Sequence, residues 1–148
     1  SQALGQPVIV HDLVAQAGGT RVGFATSPDT SGAAVDAFVG ALAARGQRAT
    51  RLPDWPGLVA VRTVSMIANE AFEAVLQGVA DEDGVDDAMR HGVNYSKGPV
   101  AWAWEVGLDR ILSVLDSIHA LTGDPRYRAS FGLRRAASLA SPHERSLP

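Results

Sequence analysis

The residues able to do acid-base, nucleophilic or ligand chemistry are few and scattered. Four histidines, His11, His91, His119 and His143, match no metal spacing such as paired histidines one helical turn apart, so no metal site is expected. His11 and Asp12 are neighbours in a predicted strand, where adjacent side chains point to opposite faces, so they form no local dyad. Ser65 and Ser96 lack the Gly-x-Ser-x-Gly context of a nucleophile elbow, and the absence of Cys removes thiolate chemistry and disulfides. A dinucleotide site needs Gly-x-Gly-x-x-Gly between a strand and a helix. The chain has no such motif, and Gly18-Gly19 precedes a strand and reads as a simple turn. No catalytic, cofactor-binding or metal-ligating residue is therefore expected.

Other polar and aromatic groups have ordinary readings. His119 falls on the apolar side of a predicted helix and reads as a packed histidine. The acidic residues Asp81, Glu82, Asp83, Asp86 and Asp87 read as favourable charge at a helix N-terminus and a solvated face. Trp102 and Trp104 straddle one residue on a short helix and cannot both face one core line, which points one of them at another domain or subunit. Arg62, Lys97 and Arg128 are cations able to hold phosphate groups of a carrier.

Composition sets the class. The 148 residues are 46% hydrophobic and 20% charged, as in ordinary globular chains with one core or one core plus a small appendage. Thirteen Lys and Arg against sixteen Asp and Glu leave a net charge of -3, which argues against a nucleic-acid binder working by phosphate neutralisation. No apolar run approaches the ~18 to 20 residues that cross a bilayer, and the N-terminus lacks a signal-peptide layout, so no membrane partner and a cytoplasmic location are expected. The chain opens on Ser1-Gln2-Ala3-Leu4 and reads as a piece of something longer.

Two textures must position these residues. Residues 1–52 form a small α/β segment: apolar runs at Pro7 to Val10 and Arg21 to Thr26 predict strands, Ala34, Val35, Phe38 and Leu42 recur at helical spacing, and a short strand fits Arg48 to Leu52. Pro53-Asp54-Trp55-Pro56-Gly57 marks a boundary, and residues 53–148 are helical throughout. Val64, Ile67, Ala68, Ala71, Phe72 and Val75 make one broad apolar face up to Gly78. Asp81 caps a helix running to Gly92, Pro99 opens another through Val106, Asp109 caps a third ending at Gly123, and Leu133 to Leu139 form the last before a frayed tail. The fold class is mainly α with a small α/β segment in front.

An ordered set of short strings then stands out: Pro56-Gly57-Leu58-Val59-Ala60-Val61-Arg62, Asn69-Glu70-Ala71, Gly78-Val79-Ala80, Asp86 to Gly92, Gly98-Pro99, Gly107-Leu108-Asp109, and Asp124 to Arg128 with Leu133-Arg134-Arg135. Together they resemble the C-terminal domain of 3-hydroxyacyl-CoA dehydrogenases over roughly the last ninety residues. The resemblance implies a helical domain like that following the nucleotide-binding domain of 6-phosphogluconate dehydrogenase. It implies a parent enzyme that uses NAD to oxidise 3-hydroxyacyl-CoA, with the parent's nucleotide-binding domain, a homo-oligomer and acyl-CoA as partners.

The family's catalytic His and Glu lie in the nucleotide-binding domain, which nothing here matches. Its positioning asparagine falls at Val61, whose isopropyl group makes no hydrogen bond. That departure suits the second, non-catalytic copy of a tandem-domain member, with residues 1–52 as connector or sheet remnant. Candidate substrate or interface residues are Arg62, Asn69, Lys97, Trp102 and Trp104. The alternatives are an acyl-CoA-binding module and a pure dimerisation domain.

Overall fold

A computed structural model describes residues 6–14 and 19–140. The tail after Ala140, with His143, and the first glycine of Gly18-Gly19 lie outside the described residues. The chain divides into two compact units, one up to Val61 and one from Arg62 onward.

In the first unit, β-branched and aromatic residues make three strands: β1 (Ile9–His11), β2 (Arg21–Thr26) and β3 (Arg48–Arg51). They lie in the order β1-β2-β3, with β1 antiparallel and β3 parallel to β2. The parallel pair needs a crossover, supplied by α1 (Gly32–Ala43), whose first turn is capped by the Ser31 hydroxyl accepting from Ala34 N at 3.2 Å. Phe24 of β2 meets Phe38 of α1 with centroids 5.2 Å apart and tilted rings, which fixes the helix on one face of the sheet. Gly46, with φ 72°, follows α1 where a left-handed residue lets the chain turn into β3.

The second unit is built from helices. α2 (Ala60–Leu76) starts at the division and buries Val64, Ala68, Ala71 and Phe72, as its apolar spacing demands. α3 (Glu82–Gly92) has the Asp81 cap read from the sequence, accepting from Gly84 N at 2.8 Å. α4 (Pro99–Val106) has Pro at its first position, and α5 (Leu108–Thr122) contributes the fully buried Leu108, Ile111, Leu115 and Ile118. Each such side chain stabilises by about 1.5 to 3 kcal/mol through removal from water, so this stripe is the centre of the unit. A 3-10 turn at Pro125–Tyr127 leads to α6 (Phe131–Leu139), which buries Leu133 and Ala137.

Two helix starts differ from expectation. α5 begins at Leu108 with Gly107 as its cap residue, so Asp109 lies inside the first turn and does not cap it. α6 begins at Phe131, earlier than Leu133, because the Ser130 hydroxyl accepts from Leu133 N at 3.2 Å and holds an extra half-turn.

Candidate functional site

Three places bring polar groups together, and each is made by a carboxylate or amide reaching a distant backbone. The first is the start of α2. Gly57 and Leu58 both have positive φ, 71° and 46°, and this double left-handed step turns the chain sharply into the helix. Leucine in that region costs roughly 1 to 2 kcal/mol, and burial of its side chain to 6% exposure offsets the cost. Asp12, itself 5% exposed, accepts from Val59 N, Ala60 N and Val61 N at 2.9, 2.7 and 3.2 Å, and from Leu13 N at 2.8 Å. Three of the N–H groups at the helix start are thus satisfied by one buried carboxylate, favoured there by the helix dipole as well. His11 is exposed and its Nδ1 lies 3.1 Å from the Asp12 carbonyl, so the two side chains form no dyad. Val61 is apolar and buried, and Arg62 beside it is half-buried.

The second place is a hollow of about 420 Å³ between α3 and α4, lined in part by Asp83, Asp86, Asp87, Arg90 and Lys97. Asp86 departs from the solvated-face reading: it is half-buried and caps α4, accepting from Val100 N at 2.7 Å and Ala101 N at 2.9 Å. Gly98 is required beside it, because a Cβ there would fall inside the Asp86 side chain. Asp86→Ala is expected to cost about 1 kcal/mol, the usual worth of a helix cap, with faster hydrogen exchange at Val100 and Ala101. Unchanged exchange at those two amides would show that the cap is idle. Lys97, just ahead of α4, is ion-paired with Glu105.

The third place is a cleft of about 470 Å³ between α2 and the loop leading into α6. Asn69, 4% exposed, works at both ends: its Nδ2 donates to the Arg128 carbonyl at 3.3 Å and its Oδ1 accepts from Ser130 N at 2.7 Å. One turn on, Glu73 accepts from Gly132 N at 3.0 Å. That backbone bond, then the Gln77 amide, hold the Glu73 carboxyl below its ordinary range. Asp124 is likewise lowered, first by its side-chain bonds to Arg126.

The two tryptophans use different neighbours. Trp102 lies against Tyr95 at 5.6 Å, with its indole N–H buried and unpartnered among the described residues. Trp104 meets Phe72 edge-on at 6.1 Å and donates to Glu82 at 3.3 Å. Asp12, Asp86 and Glu73 were missed by sequence reasoning; their partners lie too far along the chain to leave a local signature. The glycines Gly98 and Gly132 were the available hints.

Among the described residues no group of three or more His, Asp or Glu side chains converges as a metal site would. A dinucleotide fits poorly too. At the β2–α1 turn the chain reads Ser27-Pro28-Asp29-Thr30, without the glycines that let a pyrophosphate approach. Ser27 Oγ there is already engaged by Val8 N at 2.9 Å and by Thr30 Oγ1. What the arrangement can do is hold helix ends rigidly and present surface.

Comparison with known proteins identifies the family. The family described as 3-hydroxyacyl-CoA dehydrogenase, C-terminal domain, matches residues 57–145. The 3-hydroxyadipyl-CoA dehydrogenase of Escherichia coli K12 is 40% identical over 141 residues, covering 95% of this chain and 29% of that protein. A probable 3-hydroxybutyryl-CoA dehydrogenase of Bacillus subtilis is 40% identical over 114 residues, 76% of this chain and 38% of that protein. A crystal structure of 3-hydroxybutyryl-CoA dehydrogenase from Escherichia coli K12 superposes with a TM-score of 0.83 at 38% identity, over 93% of this chain and 29% of that one. The chain therefore spans well under half the length of these relatives.

Proposed function

The chain belongs to the 3-hydroxyacyl-CoA dehydrogenase family, matching its C-terminal domain, and on that premise we propose that it is a scaffold module of an NAD-dependent dehydrogenase, catalytically silent by itself. Its task is to buttress the nucleotide-binding domain of the parent chain and to wall off a short 3-hydroxyacyl-CoA, the substrate class in the names of its relatives. The observation that carries this reading is the start of α2. The side chain at position 61 is a buried valine, and three N–H groups at the helix start, those of Val59, Ala60 and Val61, are already filled by Asp12 and so are not free to meet a reacting oxygen.

The test is to incubate the 148-residue chain with 3-hydroxybutyryl-CoA and NAD and follow NADH. The expected rate is that of the buffer blank, and a rate proportional to protein concentration overturns the reading. Acyl-CoA binding is the weaker alternative. Lys97, one of the three cations it could draw on beside Arg62 and Arg128, is paired with Glu105 and lines a hollow that also holds Asp83, Asp86 and Asp87, a poor seat for phosphates. Calorimetric titration with acetyl-CoA is expected to give no binding heat.

A further inference from the structure

We propose that the amino end of the parallel β2–β3 pair is an oxyanion site, where Arg21 and Arg48 together hold a phosphate group, free or carried on a small molecule. The two arginines are Cα partners in the parallel register, so their side chains leave the same face of the sheet from strands about 4.8 Å apart. Both are exposed, and neither has a carboxylate partner among the described residues. Like charges placed side by side across a sheet repel and weaken it. Protection of a sheet edge explains a cation on β3, which is an edge strand, but not one on β2, which is paired on both sides.

The surroundings leave the pair without neutralisation. In the unit up to Val61 the acidic residues are Asp12, Asp29, Asp36 and Asp54. Asp29 follows β2 and Asp54 follows β3, both at the carboxyl end of the pair, and Asp36 lies in the first half of α1, which starts from that end. Asp12 lies level with Gly23, but it is 5% exposed and its oxygens are taken by four backbone N–H groups. Arg45, in the turn after α1, is accounted for by the negative end of the helix dipole. One guanidinium is also aimed in advance. Arg21 Nη1 donates to Thr50 Oγ1 at 2.6 Å, and Thr50 stands two residues beyond Arg48 on the same face, so Arg21 is laid diagonally towards β3. Its other N–H groups, those of the Arg48 guanidinium and the Thr50 hydroxyl proton remain as donors. A dianion with several acceptor oxygens neutralises both charges and takes these donors, whereas a monocarboxylate cancels only one. Open α/β sheets take their ligands at the carboxyl ends of the strands, so a site at the opposite end is no remnant of a dinucleotide crevice.

The site is independent of the scaffold reading and is tested by binding alone. Amide NMR of the 148-residue chain is followed during titration at constant ionic strength and about pH 8, where a phosphomonoester carries close to two charges. Inorganic phosphate and glycerol 2-phosphate should give saturating shifts at Arg21, Val22, Arg48 and Ala49, and chloride none. Arg21→Ala and Arg48→Ala should each weaken binding by about tenfold or more, the loss of one charge-assisted contact. Arg48→Lys keeps the charge but not the planar fork and should fall between. Arg110→Ala, exposed on α5, should change nothing. Tighter binding of glycerol 2-phosphate assigns the site to a phosphorylated small molecule, and equal or weaker binding assigns it to free phosphate. Shifts that never saturate, that saturate equally in Arg48→Ala, or that spread over the whole chain as the general stabilising action of phosphate would produce each overturn the proposal. The Arg48 side chain makes no hydrogen bond or ion pair among the described residues, so Arg48→Ala keeps the fold and decides the matter even if Arg21→Ala, which loses the Thr50 bond, does not.

Discussion

Gly132→Ala will cost the helical unit about 3 kcal/mol, because overpacking against rigid neighbours adds to lost hydrogen bonds and exceeds the roughly 1 kcal/mol by which alanine favours a helix. A Cβ at this position would overlap the Phe72 carbonyl oxygen and come within 2.6 Å of the Phe72 carbonyl carbon and 2.9 Å of Glu73 Cα. All three are backbone atoms of α2, so no rotamer change relieves the clash. The helix α6 has to retreat, and with it go the Ser130 N to Asn69 Oδ1 bond of 2.7 Å, the Ser130 hydroxyl to Asn69 carbonyl bond of 3.1 Å, and the Gly132 N to Glu73 bond of 3.0 Å. Leu133, fully buried, loses contact on the same side.

The measurement is a urea unfolding midpoint, with Gly92→Ala as control. Gly92 ends α3 and a Cβ there meets nothing within 4 Å, so that variant should be no less stable than the parent. A second readout is local. The Gly132 N–H is the largest influence lowering the Glu73 pKa, so the displaced helix lets Glu73 titrate closer to the ordinary carboxylate range. A Gly132→Ala protein with both the parental midpoint and the parental Glu73 titration would mean that α6 does not dock on α2 through this glycine.

This pair of residues also shows what a sequence can and cannot disclose. The helical period of α2 and α5 is written into residues three and four apart, so Val64, Ala68 and Phe72, or Ile111, Leu115 and Ile118, were legible from spacing alone. The Asp81 cap is local and equally legible. Asp86 caps another helix through an amide fourteen residues later, and Asp12 reaches amides up to forty-nine residues away. No periodicity encodes such a reach. Among the acidic residues of 81–87, Asp86, which caps α4, differs from its neighbours only by what folds beside it.

The candidate site follows the same division. That Asn69 belongs to an ordered motif was visible as resemblance; that its amide spends both ends on the loop before α6 depends on tertiary placement. Trp102 and Trp104 could be read as unable to share a core line, and they do face different rings, Tyr95 and Phe72. Neither is the most exposed aromatic among the described residues: Phe131 is, just ahead of the buried Gly132 and Leu133.

The other large effect is expected at Asp12. Asparagine has almost the same shape, yet it replaces one of the two acceptor oxygens with a donor group, aimed at amides that are themselves donors. The Asp12 carboxylate accepts from four N–H groups within 3.2 Å while only 5% exposed, so Asp12→Asn loses charge-assisted bonds without gaining water in exchange. Hydrogen bonds to a charged group are worth about 1.5 to 3 kcal/mol, and a loss of about 2 kcal/mol is expected. Asp12→Ala should lose slightly more, since its amides then face a void.

Asp36→Asn on the exposed side of α1 is the matched control and should stay within about 0.5 kcal/mol of the parent. The diagnostic is where the loss appears. If Asp12 caps α2, hydrogen exchange at Val59, Ala60 and Val61 accelerates by roughly tenfold or more in Asp12→Asn, since 1.4 kcal/mol is a factor of ten. Amides in the middle of α5 should quicken no more than the global loss of stability requires. Equal acceleration at all sites would assign Asp12 a diffuse contribution and leave the helix start with donors still open to a ligand. A localised one would establish that Asp12 acts as the cap of α2, holding the amides of Val59, Ala60 and Val61 with the chain's own carboxylate.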